Sequence, residues 1–267
     1  MRALLILDGD NTLWDTNFVF KNAQLDALNV FENEGWIHSS VESLQVLRQV
    51  DQLILGKLNL AEYDFSILFR ALGYMWLEKL SMQAGLAKSL EVLTGNPTGK
   101  VSSVAHRALS AFQQSLSAIP SLLPGVASTL TKLRREFGNG ELVMLLHTEG
   151  DTLRIQRTIT AMHAVLDGIF DATIIKPKDE RSLSASIEAG RKFLSDGSMA
   201  QFDITVMVGD SLKRDIRPAH LAGMRTVYVP SAYKGREEPK GPEEIPDYTL
   251  DTIAKLPQVL ELLGLHH

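Results

Sequence analysis

Cysteine is absent from all 267 residues. Disulfide bonds, zinc–thiolate centres and thiol nucleophiles are therefore excluded. No apolar run reaches the length of a membrane span, so no membrane partner is expected. Internal repeats and low-complexity tracts are missing as well. The net charge is only −5, with acids and bases mixed throughout and no basic stripe, which argues against nucleic acid as a partner. Metal ions and small substrates are the more natural ligands. The first carboxylate of interest is residue 8, too early for a secretory leader ahead of it, and the expected location is the cytoplasm.

What the chain does have is an ordinary globular composition, 45% apolar and 22% charged, enough to bury a core in one large domain or two moderate ones. Its most informative stretch is Leu4-Leu5-Ile6-Leu7-Asp8-Gly9-Asp10-Asn11-Thr12-Leu13-Trp14. The apolar run reads as a buried strand that stops at two carboxylates one residue apart, followed by a hydroxyl. In an open parallel sheet, ligands bind just beyond the carboxyl ends of strands. Two acids this close are costly at a buried edge unless a cation compensates them. An Asx-rich turn is the alternative for these residues taken alone.

From Thr16 to Ala118 the apolar residues recur at helical spacing, as in Phe18, Leu25, Leu28 and Phe31. Gly35 is a stop, Ser39 or Ser40 a cap, and Gly95-Asn96-Pro97 a break. The segment is expected to be all helical, with Phe65, Phe69 and Trp76 in its core. At Ile119–Gly125 the pattern changes. A helix is expected over Val126–Phe137, a turn at Gly138-Asn139-Gly140 and a strand over Glu141–Leu146 ending at His147-Thr148. A helix, a strand at Ala172–Ile175, and a helix over Arg181–Leu194 follow. Strands at Ile204–Val208 and Thr226–Val229 flank a helix begun near Asp215 and ended by Gly223. Ser231–Pro246 reads as a mobile loop, and a strand near Tyr248–Leu250 and a helix over Ile253–Leu263 close the chain. Alternating strands and helices imply an α/β fold, a doubly wound parallel sheet covered on both faces. The domains divide as 1–15 with 119–267 for the sheet, and 16–118 for the helical insert. His266 and His267 read as tag remnants.

Four strands thus deliver Asp8 and Asp10, Thr148, Lys178, and Asp210 with Asp215 to one edge. Such a set suits Mg²⁺-assisted phosphoryl transfer to a carboxylate, because Mg²⁺ takes oxygen ligands while a lysine and a hydroxyl offset phosphoryl charge. The order Asp8-x-Asp10-x-Thr12, Thr148, Lys178, then Gly209-Asp210-Ser211 with Asp215 resembles the haloacid dehalogenase-like (HAD) hydrolase superfamily over essentially the whole chain. The resemblance implies a Rossmann-like core and a phosphatase-type enzyme. It makes Asp8 the nucleophile and Asp10 the general acid/base. Mg²⁺ would lie on the carboxylates of Asp8 and Asp210 and the carbonyl of Asp10. Thr148 and Lys178 would bind phosphoryl oxygens, and Asp215 would position Lys178 or a metal-bound water. Thr12, Glu149, Gly150 and Ser211 would support them.

Alternatives stand beside several of these. A helix N-cap is the alternative for Thr148, and a first-turn acid favoured by the helix dipole the alternative for Asp215. Lys176-Pro177 competes with Lys178, which is preferred because Asp179-Glu180 then begin the next helix. His147 reads as a packed histidine, and Lys213, Arg214 and Arg217 as a solvated face. The helical insert resembles a C1-type cap of subfamily I, with a flap and first hinge at Thr12–Phe20 and the second hinge at Ile119–Gly125. Trp14 would line the pocket mouth or pack between cap and core. The expected partner is a small phosphorylated metabolite, bound by a monomer or homodimer. Asp10 argues against a dehalogenase. A phosphomutase shares every core motif; a phosphonatase would need a cap lysine such as Lys57, Lys79 or Lys88; a non-catalytic binding protein would have lost an essential acid.

Overall fold

The computed structural model describes residues 1–58, 63–91, 99–137, 141–194, 201–231 and 235–265. The Gly95–Pro97 break, the Gly138–Gly140 turn and His266-His267 lie outside them. The described residues form two compact units, Met1–Asn17 with Ile119–His267, and Phe18–Ala118.

The first unit is built on six parallel strands, β1 (Ala3–Leu7), β2 (Leu142–Thr148), β3 (Ala172–Ile175), β4 (Ile204–Gly209), β5 (Arg225–Tyr228) and β6 (Tyr248–Thr249), in the order β3-β2-β1-β4-β5-β6. This is the doubly wound sheet the sequence implies. Side chains alternate across a strand, so the unbroken apolar run of β1 serves two layers. Leu5 and Leu7 pack with Leu130 and Leu133 of α6 (Val126–Glu136) and Val259 and Leu260 of α11 (Leu256–Leu262). Leu4 and Ile6 pack on the other face with Leu183 of α9 (Glu180–Arg191) and Ala219 of α10 (Arg217–Leu221). Two shorter-range helices, α7 (Thr152–Ala161) and α8 (His163–Leu166), link β2 to β3. Strand order reverses around β1, whose Leu7 pairs with Leu146 on one side and Val208 on the other. The residues just past these positions therefore share one crevice.

The second unit contains α1 (Thr16–Asn33), α2 (Ser40–Leu58), α3 (Phe65–Leu77), α4 (Met82–Glu91) and α5 (Lys100–Leu116). Phe31, Phe69 and Phe112 are fully or almost fully buried in its core, with Phe65 and Trp76 packed against them. Ring centroids lie 4.7 Å apart for Phe65–Phe112 and 5.0 Å for Phe31–Trp76, the tilted and edge-on geometries that aromatic quadrupoles favour. Gly35 has a left-handed φ of 71°, and the Ser39 hydroxyl accepts the Glu42 N–H at 3.3 Å before α2.

Three boundaries differ from the sequence reading. β2 runs through His147 and Thr148, because β3 pairs with it out to Thr148, two residues beyond the end of its pairing with β1 at Leu146. The closing helix is split into a 3₁₀ turn at Ile253–Lys255 and α11, whose Pro257 lacks the N–H needed to continue a ladder but suits a first helical turn. The 231–246 loop, described except for 232–234, contains a 3₁₀ turn at Pro242–Glu244 and the buried Glu244, which accepts the Lys240 N–H at 2.8 Å.

His147 is buried in β2 with Nδ1 3.0 Å from Ser186 Oγ of α9. Burial pushes its pKa down to about 4, so it is packed as a neutral ring. In the unfolded chain it would protonate near 6.5. The folded state therefore has its full advantage above that pH and loses it as pH falls toward about 4. In urea unfolding across this window, His147→Gln should lose stability less steeply with acidification than the wild type, a difference of up to about 3 kcal/mol. Parallel curves would show that His147 protonation is not linked to folding.

Candidate active site

Asp8 follows β1 directly, and its N–H donates to the Val208 carbonyl at 2.9 Å, extending the ladder by one residue. The residue is 3% exposed. The chain then turns sharply: Leu13 N–H returns to the Gly9 carbonyl at 2.8 Å, and Asn11 takes a left-handed φ of 64°. A Cβ on Gly9 would lie 2.3 Å from the Trp14 ring and 3.1 Å from Thr148 Oγ1, so only glycine fits under the indole.

Asp210 and Asp215 arrive from β4. Ser211 through Ile216 do not start an ordinary helix; Leu212–Ile216 form a π-helical turn before α10. This widened turn, a device frequent at functional sites, brings Asp215 back against the strand end. A Cβ on Gly209 would sit 2.3–2.4 Å from the Asp215 carboxyl, so Gly209 makes that approach possible. Asp215 Oδ2 accepts the Ser211 N–H at 2.9 Å. The carboxylates of Asp8, Asp210 and Asp215 are all buried, with ligand oxygens within 4.8 Å of one another.

One ammonium stands among them. Lys178 Nζ pairs with both Asp8 Oδ1 and Asp215 Oδ1, and its side chain is 3% exposed. Lys176 is exposed on the other side of Pro177 and contributes only its N–H, to the Thr148 carbonyl. Of the two lysines, Lys178 is the one that meets the acids. Burial would depress Lys178, but Asp215 and Asp8 raise it above its ordinary range and keep it charged. Burial pushes the Asp8 carboxyl up to about 8, helped by Asp215 and Asp210 and opposed by Lys178. Three acids against one lysine thus form a site short of positive charge, and an all-oxygen donor set of this kind fits a hard divalent cation such as Mg²⁺.

Thr12 donates from Oγ1 to Asp8 Oδ2 at 3.2 Å. Thr148 is the last residue of β2, and its buried hydroxyl has no hydrogen-bond partner. It is not the N-cap of α7, since Asp151 fills that role by accepting the Arg154 N–H at 2.7 Å. Glu149 accepts the Lys178 N–H at 3.4 Å and pairs with Arg214 at 3.3 Å. Arg214 is therefore not part of a purely solvated face. Gly150, with φ 133°, lets the chain swing from β2 into α7.

Asp10 has a separate set of partners. Its Oδ1 accepts the Trp14 indole N–H at 2.6 Å and the Thr16 hydroxyl at 2.7 Å. Arg154 closes a two-pronged pair, Nη2 to Oδ2 at 2.6 Å and Nη1 to Oδ1 at 3.1 Å. Burial would raise Asp10, but Arg154 above all, with Thr16 and Trp14, holds it below the usual carboxylate range. Trp14 does not line a pocket mouth: it is fully buried in the sheet unit's own core, where its N–H must find an acceptor and does so on Asp10. Arg154 escapes a reading of the sequence because an arginine beside Ile155 on an amphipathic helix looks solvent-facing. Its only local signal is its place in the first turn of α7, the helix that follows Thr148.

A family model described as HAD-hydrolase-like matches residues 188–256. No curated protein is similar to the chain in sequence. Among solved structures, a haloacid dehalogenase-like family hydrolase of Xanthomonas campestris is 16% identical, with 98% of this chain and 96% of that chain covered and a TM-score of 0.57. The magnesium-bound YfnB of Bacillus subtilis is 17% identical, with 99% of each covered and a TM-score of 0.57. The 2-haloacid dehalogenase of Pseudomonas syringae pv. tomato is 18% identical, with 98% and 100% covered and a TM-score of 0.51. At these identities the likeness is one of fold. The family-model match is confined to residues 188–256, and over the rest of the chain the likeness is one of fold.

Removing Lys178 would take away the ammonium paired with the buried carboxylates of Asp8 and Asp215. Lys178→Met should cost about 3–5 kcal/mol of stability in EDTA, and millimolar Mg²⁺ should recover part of it. Thermal denaturation with and without Mg²⁺ checks this: equal Mg²⁺ responses in variant and wild type would count against a cation in the acidic cluster.

Proposed function

We propose that this chain, with its HAD-like hydrolase fold, is a Mg²⁺-dependent phosphatase of a small phosphomonoester. The observation that carries the reading is the convergence of Asp8, Asp210, Asp215 and Lys178 at neighbouring strand ends, buried and in mutual contact range. Mg²⁺ would be held by the carboxylates of Asp8 and Asp210 and the carbonyl of Asp10, and when bound it supplies charge stabilisation for the transferring phosphoryl group. A bound cation would offset the burial and acid repulsion that raise Asp8, favouring the carboxylate form a nucleophile requires.

In the first half-reaction an Asp8 oxygen attacks phosphorus while the bond to the leaving oxygen breaks, giving an aspartyl phosphate. Lys178 and the unengaged hydroxyl of Thr148 donate to the phosphoryl oxygens. Asp215 keeps Lys178 charged and aimed. Asp10 gives its proton to the leaving alkoxide. In the second half-reaction Asp10 takes a proton from water, the hydroxide attacks phosphorus, and Asp8 departs as a carboxylate. Arg154 and Trp14 hold Asp10 ionised, the form that serves this second step. The first step needs a protonated Asp10, so the Arg154 pair loosens when the ester binds. The helical unit Phe18–Ala118 would act as a C1-type cap that excludes water from the reaction and selects the substrate. Its location would be cytoplasmic.

The wild-type protein should hydrolyse p-nitrophenyl phosphate with Mg²⁺, and EDTA should stop it. Asp8→Asn should lower kcat by about 10³ or more while circular dichroism stays unchanged. Metal-independent turnover, or normal turnover by Asp8→Asn, would sink the mechanism. Arg154→Met supplies a second check. Without the guanidinium the Asp10 pKa rises, so the fall of kcat/KM as Asp10 loses its proton should move to higher pH. An unmoved profile would show that Arg154 does not tune the acid.

A further inference from the structure

We infer that Ser182 of α9 is the positioning residue for Lys178. Lys178 lies on the loop after β3, an edge strand, and its Nζ pairs with Asp8 past β1 and with Asp215 beyond β4. β3 stands two places from β1. Strands in a sheet lie about 4.8 Å apart, so the ammonium must be carried roughly 10 Å sideways across the end of β2. A lysine side chain reaches about 6 Å at full extension. The loop itself therefore has to lean over β2, and a small retreat of its backbone takes the ammonium off its acids.

The backbone gives that loop little support. The Lys176 N–H donates to the Thr148 carbonyl at 3.0 Å, Pro177 has no N–H to give, and the Lys178 N–H reaches Glu149 only at 3.4 Å. The Ser182 hydroxyl supplies what is missing. Its single proton goes to the nearer of two carbonyls, Pro177 at 2.7 Å rather than Asp179 at 3.1 Å. Its oxygen accepts the Asp179 N–H at 3.0 Å. One side chain thus holds both peptide groups that flank Lys178. Ser182 is itself anchored: its N–H donates to Asp179 Oδ1 at 2.7 Å, and its carbonyl accepts the Ser186 hydroxyl at 2.9 Å. Ser186 Oγ lies 3.0 Å from His147 Nδ1 in β2, and the neighbouring Leu183 is fully buried against the sheet. The same Ser182 hydroxyl and the Asp179 carboxylate form the capping box of α9. Capping uses both side chains, whereas holding the flanks of Lys178 uses the hydroxyl alone, so the two roles can be separated.

The kinetic half of the test rests on the phosphatase reading; the spectroscopic half does not. In the full-length protein carrying ¹³Cε-labelled lysine, the resonance missing from Lys178→Arg identifies Lys178. Ser182→Ala should move that resonance and lower kcat for p-nitrophenyl phosphate about tenfold, with KM changed by less than about twofold. Ser182→Thr keeps the hydroxyl and should restore both. Asp179→Ala removes the other half of the capping box and weakens the start of α9 at least as much. It should nevertheless leave the Lys178 resonance in place and kcat within about twofold of wild type. A resonance unmoved by Ser182→Ala, or moved equally by Asp179→Ala, overturns the assignment, as does wild-type kcat in Ser182→Ala. Should the resonance move as expected while no variant or wild type turns over, the placement of Lys178 by Ser182 stands and the phosphatase reading falls.

Discussion

Asp8, Asp210 and Asp215 are held together in a dry place against the single ammonium of Lys178, and much of the sheet unit is arranged to hold them there. Unit charges at this separation interact by about 3–4 kcal/mol near a protein surface. The carboxylates repel in three pairings, while Lys178 attracts in two close ones. The balance is near zero at best, before desolvation is counted. Such a cluster persists only because covalent and packing constraints fix it: β1 and β4 pair in register up to Leu7 and Val208, and Gly209 admits the Asp215 carboxyl. The unfavourable balance is the property that makes the site receptive to a cation.

Asp8 and Asp10, one residue apart, are given opposite surroundings. Asp8 points into the acidic cluster and is pushed up to about 8 by burial and its neighbours. Asp10 is taken by an arginine, an indole N–H and a hydroxyl and is held low. As they stand, these shifts run against the proposed first step, which needs Asp8 ionised and Asp10 protonated, so a cation at Asp8 and the ester at Asp10 would have to reverse them. The separation is achieved by the tight Gly9–Trp14 turn, which sends consecutive polar side chains to different partners.

The parallel sheet was legible because β1, β2 and β4 are apolar on both faces, a pattern that only a sheet covered by helices explains. The acids were legible because they stand immediately after those runs. Lys178 could be separated from Lys176 only by the path of the chain after β3, which a sequence does not state. Arg154 was invisible for a similar reason: its partner Asp10 lies 144 positions away, and nothing in α7 distinguishes it from a solvent-facing arginine. The π-helical turn at Leu212–Ile216 likewise depends on where Asp215 must go, not on local propensity. Trp14 reads in the sequence as lining the pocket mouth or packing between cap and core, whereas its decisive atom is the indole nitrogen.

The fit of the Trp14 ring over Gly9 ties two positions into one unit of inheritance. A side chain at position 9 can be accepted only in a chain whose residue 14 has already shrunk, and shrinking residue 14 removes the indole donor from Asp10. Each single step across this pair is therefore a worse protein than either end. Any descendant that changes the turn has to cross a valley in which Asp10 has lost one of its anchors.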